Sequence, residues 1–434
     1  LTENKSKNIA FYTFGCKLNF SETSFISNKL KSQGYGIVHF NEPADYYVIN
    51  NCTVTREAER KFERLVRSVK SKHPAAKIIA MGCFSEVSAD DLSMNPMIDL
   101  VLGTNQKFGL AEYISQIESG KLAGTEHTFA GDKTGFENSY SKGDRTRSFL
   151  KVQDGCDYFC SYCAIPHARG RSRSDSVSGI IRSVHEITDE GIREIVLTGV
   201  NVGEYKSPEG ETLTDLIQEI SKIDKKIRIR ISSLEPNLIG DELLELISAD
   251  KKFMPHFHIP LQSGSDRILR LMNRKYTSAV FKERILKILE VIPDVFIGID
   301  VIAGFPGETD DDFQETYNLL AGLEIAYLHV FPYSERPGTR ASAFAEKNDP
   351  AVISKRTHTL IDLSDRKNTA FNDKFIGRER EVLFEGMKKD GMYFGHTDNY
   401  LKVKTLSTVN ISNVIKTVEL VKLMPGNILL GQII

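Results

Sequence analysis

The chain carries six cysteines, and they fall into two sets of three. Cys156, Cys160 and Cys163 stand together in "GCDYFCSYCAIPHARGRSRS" (155–174), spaced C-x3-C-x2-C. A short loop with three thiolates wraps one metal centre, yet a structural metal takes a fourth ligand. Two chemistries fit. In one, His167 completes a Cys3His zinc site, although Pro166 directly before it stiffens the return that this needs. In the other, the centre is a cubane [4Fe–4S] cluster in which each iron takes a thiolate. Three cysteines then leave one iron open, which suits a cluster that does chemistry rather than one that holds a fold.

The second set is dispersed, and its members meet only if the fold gathers them. "IAFYTFG" (9–15), "DYYVINN" (45–51), "AKIIAMG" (76–82) and "IDLVLG" (98–103) read as short buried strands. "NFSETSFISNKLKSQG" (19–34) reads as a helix opening on Asn19 as N-cap with Glu22 three positions on. "REAERKFERLVRSVKSKH" (56–73) is a charged helix that must stop before Pro74. Strands alternating with helices predict a parallel, helix-covered sheet. All strand carboxyl ends of such a sheet lie on one edge, where it binds ligands. Cys16, Cys52 and Cys83 each come after a different one of these strands. Singly, each is well read as a small buried hydrophobe; together on one edge they read as a site.

Residues 119–146 are rich in Gly, Ser, Thr and charge and read as a linker. Beyond them come six strands: 147–155, 193–200, 227–234, 255–262, 295–304 and 326–334. Helical stretches such as "LTDLIQEISKI" (213–223) separate them. The pattern predicts a partial (β/α)6 TIM-like barrel with its active face at the strand carboxyl ends. "TGVNVGEY" (198–205), "LQSGSD" (261–266) and "IAGFPGETDDDF" (302–313) lie at those ends and describe a cofactor pocket. From Ile376 onward short strands with glycine turns predict a small OB-like antiparallel β-barrel. The expected division is 1–118, 119–146, 147–375 and 376–434, within an α/β fold class.

Composition sets outer bounds. The 434 residues exceed one ordinary core, and 41% apolar with 26% charged residues is usual for a soluble globular chain. A net charge of −2 gives no general attraction to nucleic acid, so RNA contact would need local basic patches. No apolar run spans a bilayer; "VFIGIDVIAGF" carries Asp300 near its centre. "LTENKSKNIAFYT" lacks the apolar stretch of a signal peptide. A cytoplasmic, reducing location is expected, in which the cysteines stay thiols rather than forming disulfides.

C-x3-C-x2-C with Tyr162 before the third cysteine resembles the radical S-adenosylmethionine superfamily. The fuller set is the three N-terminal cysteines, "AIPHARGRSRS", "HIPLQSGSD", "GFPGET" and a terminal β-barrel. It resembles the methylthiotransferases over essentially the whole chain. "TFGCKLNFSET" and "NNCTVTREAERK" look closest to the tRNA enzymes acting on N6-threonylcarbamoyladenosine. The resemblance implies two [4Fe–4S] clusters, one on Cys156, Cys160 and Cys163 and an auxiliary one on Cys16, Cys52 and Cys83, which uses every cysteine. It implies S-adenosylmethionine chelated at the open iron and cleaved to a 5′-deoxyadenosyl radical, because a carbon–hydrogen bond on an adenine ring has no acidic proton for a side chain to remove. The cofactor carries that chemistry. Gly199, Asn201, Ser232, Gln262 and Gly304 are the expected neighbours of S-adenosylmethionine. The expected reaction inserts a methylthio group at carbon 2 of that nucleoside at position 37 of tRNA. The alternatives are a ribosomal-protein side chain or another modified tRNA adenosine. Partners would be a tRNA anticodon loop, an electron donor and a sulfur source, with no membrane.

RNA contacts are expected from Arg169, Arg171 and Arg173, just past the cluster loop, where they could meet phosphates. The terminal barrel resembles the TRAM module, and Tyr400 in "TDNYLKVK" is its candidate for base stacking. Arg60, Arg64 and Arg67 recur along one helix, mixed with Glu57, Glu59 and Glu63.

Overall fold

The computed structural model describes residues 7–122, 126–128, 135–143, 146–388 and 390–434. By internal contacts the chain divides into two units, one built from 1–144, 149–175 and 334–342 and the other from 145–148, 176–333 and 343–434. Neither unit is continuous in sequence, unlike the division that the sequence pattern predicts.

The first unit is built on a parallel sheet of β1 (Asn8–Thr13), β2 (Gly36–Val38), β3 (Tyr46–Asn51), β4 (Lys77–Gly82), β5 (Leu100–Leu102) and β6 (Glu126–Thr128) in the order β2-β1-β3-β4-β5-β6. Its central strands are buried on both faces, so they read as continuous apolar runs rather than alternating ones. Successive residues feed opposite faces. Tyr47, Ile49, Ile78, Ala80 and Val101 join one core cluster, while Tyr46, Val48, Ile79, Met81, Leu100 and Leu102 join the other. Helix α2 (Arg56–Lys72) covers the first cluster with Phe62, Val66 and Val69, spaced for one helical face. Its N-terminus is capped by Thr55, whose side chain accepts from the Ala58 N–H.

Two expectations change here. Helix α1 spans Lys17–Ser32 with Cys16 as its N-cap, so Asn19 and Glu22 lie inside the first turns and are fully buried rather than forming a capping box. The stretch read as a linker supplies β6, parallel to β5, and Tyr140 bridges antiparallel to Leu150. Residues 123–125, 129–134, 144 and 145 of that stretch, and the first six of the N-terminal one, lie outside the described residues.

The six strands expected of the barrel are present. Strand β7 (Arg147–Lys151) is divided between the units after Ser148. The short antiparallel pair β8 (Gln153–Asp154) and β9 (Arg173–Ser174) then closes the cysteine loop within the first unit. In the second unit β10 (Glu194–Thr198) pairs parallel with β11 (Arg228–Ile231). Strands β12 (His256–Gln262), β13 (Phe296–Ala303) and β14 (Tyr327–Pro332) run parallel in that order, and a parallel bridge between Ser233 and His258 links the two groups.

A helix over Pro350–Asp373 comes next, with Asp349 accepting from the Ala351 N–H and Pro350 at the first position. Strands β15 (Glu379–Met387), β16 (Tyr393–Thr397), β17 (Lys402–Thr405), β18 (Ile415–Met424) and β19 (Ile428–Ile433) form a closed barrel in the order β15-β16-β17-β19-β18. Its pairings are antiparallel except for β17 with β19, which is parallel. No helix among the described residues is long and apolar enough to cross a membrane.

Candidate metal centres

In a parallel sheet of order 2-1-3-4-5 the connections reverse direction between β1 and β3, and the crevice outside the strand ends there is a ready ligand site. Cys16 lies three residues past β1, Cys52 directly succeeds the last residue of β3, and Cys83 directly succeeds the last residue of β4. Gly15 turns the chain at φ +99°, and a Cβ in its place would lie 2.8 Å from the Cys52 Cβ. Only glycine therefore lets the β1 turn close onto the β3 turn.

Side-chain amides tie the three turns. Asn19 Nδ2 donates to the Phe14 and Asn51 carbonyls at 2.9 and 3.1 Å. Asn51 donates to Ser85 Oγ at 2.7 Å and accepts from the Ser85 N–H at 3.0 Å. Cys52 and Cys83 are buried and Cys16 is exposed. Burial, with the neighbouring Cys83 and Cys16 sulfurs adding to it, pushes the Cys52 thiol up to about 12.

The second trio sits on the loop between β8 and β9, and its three thiols are half-buried. Gly155, at φ +72°, opens this loop, and a Cβ there would fall 2.0 Å from the Arg171 carbonyl oxygen. The Cys156 N–H donates to the Gly170 carbonyl at 3.1 Å and the Cys163 N–H to the Cys160 carbonyl at 3.0 Å. Gly155→Ala is accordingly expected to spread the loop ends and to lower bound iron to about half after anaerobic reconstitution. Wild-type iron content in that variant would show that the close approach is dispensable.

Tetrahedral zinc on thiolates holds its sulfurs about 3.8 Å apart. Among the described residues, the group whose donor atoms close to within 4.8 Å is His258, Asp300 and His329, and no cysteine belongs to it. A cubane binds each thiolate through a different iron, so its ligands stand further apart. His167 lies exposed on the helix Ile165–Arg169.

Arg169 is where the structure departs most from the sequence reading. It was expected to meet RNA phosphate, but it is only 1% exposed. Its Nε donates to the Cys83 sulfur at 3.3 Å. Nη1 reaches Glu22 at 3.0 Å and Asp154 at 2.9 Å, and Nη2 reaches Asn19 at 2.7 Å and Glu22 at 3.0 Å. All five N–H donors of the guanidinium are matched by these contacts. Lys107 and Lys151, both buried, also pair with Glu22 at 2.5 and 3.4 Å. Burial alone would raise the Glu22 carboxyl, but Arg169, Lys107 and Lys151 hold it well below its ordinary range. One arginine on the loop of Cys156, Cys160 and Cys163 therefore grips α1, Asp154 and the Cys83 sulfur.

The other expected RNA residues divide. Arg173 is mostly enclosed, bonded to Asp154 at 3.2 Å and to the Arg169 carbonyl at 2.7 Å. Arg171 is open, with 78% of its side chain exposed beside the Phe159 ring. Tyr400 does not offer a free ring: Arg230 and Arg147 lie 4.9 and 5.5 Å from its centroid, and His396 stacks on it at 4.7 Å. Glu194, fully buried, accepts from Arg230 at 2.9 Å, which in turn donates to the Thr397 and Asp398 carbonyls beside Tyr400. Tyr400 thus seats the terminal barrel on β11 instead of presenting a stacking surface.

The expected S-adenosylmethionine neighbours all lie at strand carboxyl ends of the second unit. Gly199 and Asn201 come after β10, Ser232 after β11 and Gly304 after β13, while Gln262 ends β12. The Val202 N–H donates to the Ser233 carbonyl at 3.3 Å, which draws the first two loops together. Ser232 Oγ is buried without a hydrogen-bond partner among the described residues, which suits a ligand contact. Gln262 adopts φ +64° at a bulge in the β12–β13 register. The Gly304 N–H donates to Glu308, whose carboxyl burial raises to about 6 against the pull of Arg356.

Residues 150–320 match the family described as the radical SAM superfamily, and residues 8–103 match one described as uncharacterized protein family UPF0004. The threonylcarbamoyladenosine tRNA methylthiotransferase MtaB of Bacillus subtilis is 36% identical, over 95% of this chain and 94% of that protein. The protein of the same name from Aquifex aeolicus is 37% identical, over 91% and 96%. The tRNA-2-methylthio-N(6)-dimethylallyladenosine synthase of Bacteroides thetaiotaomicron is 34% identical, over 92% and 89%. Among solved structures, the radical S-adenosylmethionine methyltransferase TsrM from Kitasatospora setae has a TM-score of 0.55 at 12% identity, covering 75% of this chain and 73% of that one. That last likeness is one of fold.

Proposed function

The chain belongs to the radical S-adenosylmethionine methylthiotransferases, and on that premise we propose that it inserts a methylthio group at carbon 2 of N6-threonylcarbamoyladenosine at position 37 of tRNA. The observation that carries the reading is the pair of cysteine trios, each one thiolate short and both in one unit. Cys156, Cys160 and Cys163 would hold one [4Fe–4S] cluster, and Cys16, Cys52 and Cys83 the other. When bound, the cluster on Cys156, Cys160 and Cys163 with S-adenosylmethionine would supply a radical able to take hydrogen from an aromatic carbon, and the cluster on Cys16, Cys52 and Cys83 would carry the sulfur to be transferred.

The chain's own residues do the rest. Gly199, Asn201, Ser232, Gln262 and Gly304 would bind and orient S-adenosylmethionine at the strand ends. Arg169 fixes the Cys83 side chain and ties the second cysteine loop to α1. Arg171, exposed beside the cluster loop and paired at the surface with Asp157 at 3.4 Å, would meet a phosphate by exchanging that contact.

A second reading has support in the comparisons, since relatives at 34% identity are named for the dimethylallyl nucleoside. Mass spectrometry of tRNA nucleosides from cells lacking the gene separates the two. The 2-methylthio form of the threonylcarbamoyl nucleoside is expected to vanish while its unthiolated precursor accumulates. Loss of the dimethylallyl product instead would transfer the assignment to that substrate, and unchanged tRNA would point to the protein-substrate alternative.

A further inference from the structure

A cavity of about 370 Å³ in the first unit lies beside the cysteine turns without including a cysteine. Thr53, Phe84 and Ala164, the residues next in the chain after Cys52, Cys83 and Cys163, all line it. Arg336 also lines it. Its side chain is 6% exposed, and among the described residues its acidic partner is Glu59, reached through Nη2. Nε and Nη1 of Arg336 are buried without a hydrogen-bond partner among the described residues.

A buried guanidinium left with unmatched donors is costly unless something completes it. The remaining charges on the walls do not do so. Glu63 pairs with Arg67 at 3.6 Å on the exposed side of α2, and Asp91 is exposed. Arg56 adds a further cation to the same wall. Planar donors of this kind match carboxylate and phosphate oxygens.

We infer that Arg336 and its cavity form an oxyanion subsite for the RNA substrate. The inference rests on the proposed function and deepens it, by naming the group that holds the anticodon loop beside the cluster turns. Two oxyanions of that substrate share the chemistry: a backbone phosphate and the carboxylate of the threonylcarbamoyl group.

The test is binding of two anticodon stem-loops to the whole chain carrying its clusters, one with the threonylcarbamoyl group on the adenosine and one without. Arg336→Gln is expected to weaken binding roughly tenfold or more, the loss of one charge-assisted contact, with Arg336→Lys between. Ser88→Glu adds an acid to the same wall without touching Arg336 and is expected to act in the same direction, which guards against a folding defect. Equal losses on both loops assign the phosphate, together with a shallower salt dependence. A loss confined to the modified loop assigns the carboxylate. Wild-type binding of both loops by Arg336→Gln and Ser88→Glu would overturn the subsite and leave the proposed function standing. Failure of the wild-type chain to bind either loop would sink both.

Discussion

Cys52→Ala is expected to abolish methylthio transfer while S-adenosylmethionine cleavage continues near its wild-type rate. The side chain is 7% exposed at the end of β3, between turns held by Asn19, Asn51 and Ser85. Alanine removes one sulfur and leaves those amide bonds in place, so the cost to folding is about 1–2 kcal/mol. The proposed site loses a ligand it cannot replace, because the two proposed ligand sets use all six cysteines. Iron is expected to fall to about half after reconstitution. The loop carrying Cys156, Cys160 and Cys163 is closed by its own β8–β9 pair and should keep its cluster. Methionine-derived products, 5′-deoxyadenosine and modified nucleoside are measured in one reaction. Loss of cleavage together with transfer, in a folded protein, would show that the two trios do not have separate roles.

Arg169→Met is expected to be the most destabilising single substitution in the first unit. It removes a cation from between Glu22 and Asp154, both buried, and breaking a buried ionic network by deleting one partner costs about 3–5 kcal/mol. Lys107 and Lys151 remain on Glu22, which keeps the loss within that range rather than above it. Thermal unfolding monitored by far-ultraviolet circular dichroism reads the effect as a lowered first transition. Arg169→Lys separates position from charge. It keeps the cation but cannot reach Cys83, Asn19, Glu22 and Asp154 together, so the loss of the N–H···S contact is expected to lower the reduction potential of the cluster proposed on Cys16, Cys52 and Cys83. An unchanged potential in a folded Lys variant would confine Arg169 to a structural role.

The strands and both cysteine trios were legible because their signals are local or topological. A run such as "YVINN" declares a buried strand, and a parallel sheet must place the residues just beyond its strand ends on one edge. The burial of Arg169 was not legible. "ARGRSRS" has the composition of a solvated basic stretch, and composition is blind to the acids that Asn19–Glu22 and Asp154 bring from other segments. The same blindness made Asn19 and Glu22 look like a capping box, since a polar residue early in a helix is far more often a cap than a core contact. Tyr400 was misread for a related reason: its neighbours Arg147, Arg230 and His396 lie up to 253 residues away. A polar linker composition likewise hid β6, whose place is decided by the open edge of β5.

Ser334–Ser342 belongs to the first unit although 158 residues, Ser176–Tyr333, separate it from the rest. Within that segment the Ala341 N–H reaches the Ser161 carbonyl at 2.7 Å, between Cys160 and Cys163, and Ser334 Oγ accepts from the Arg56 N–H at 3.2 Å. On a ribosome extending the chain by about 5–20 residues per second, the intervening stretch takes roughly ten to thirty seconds to make. The nascent N-terminal sheet therefore lacks its last strap until most of the polypeptide has been synthesised.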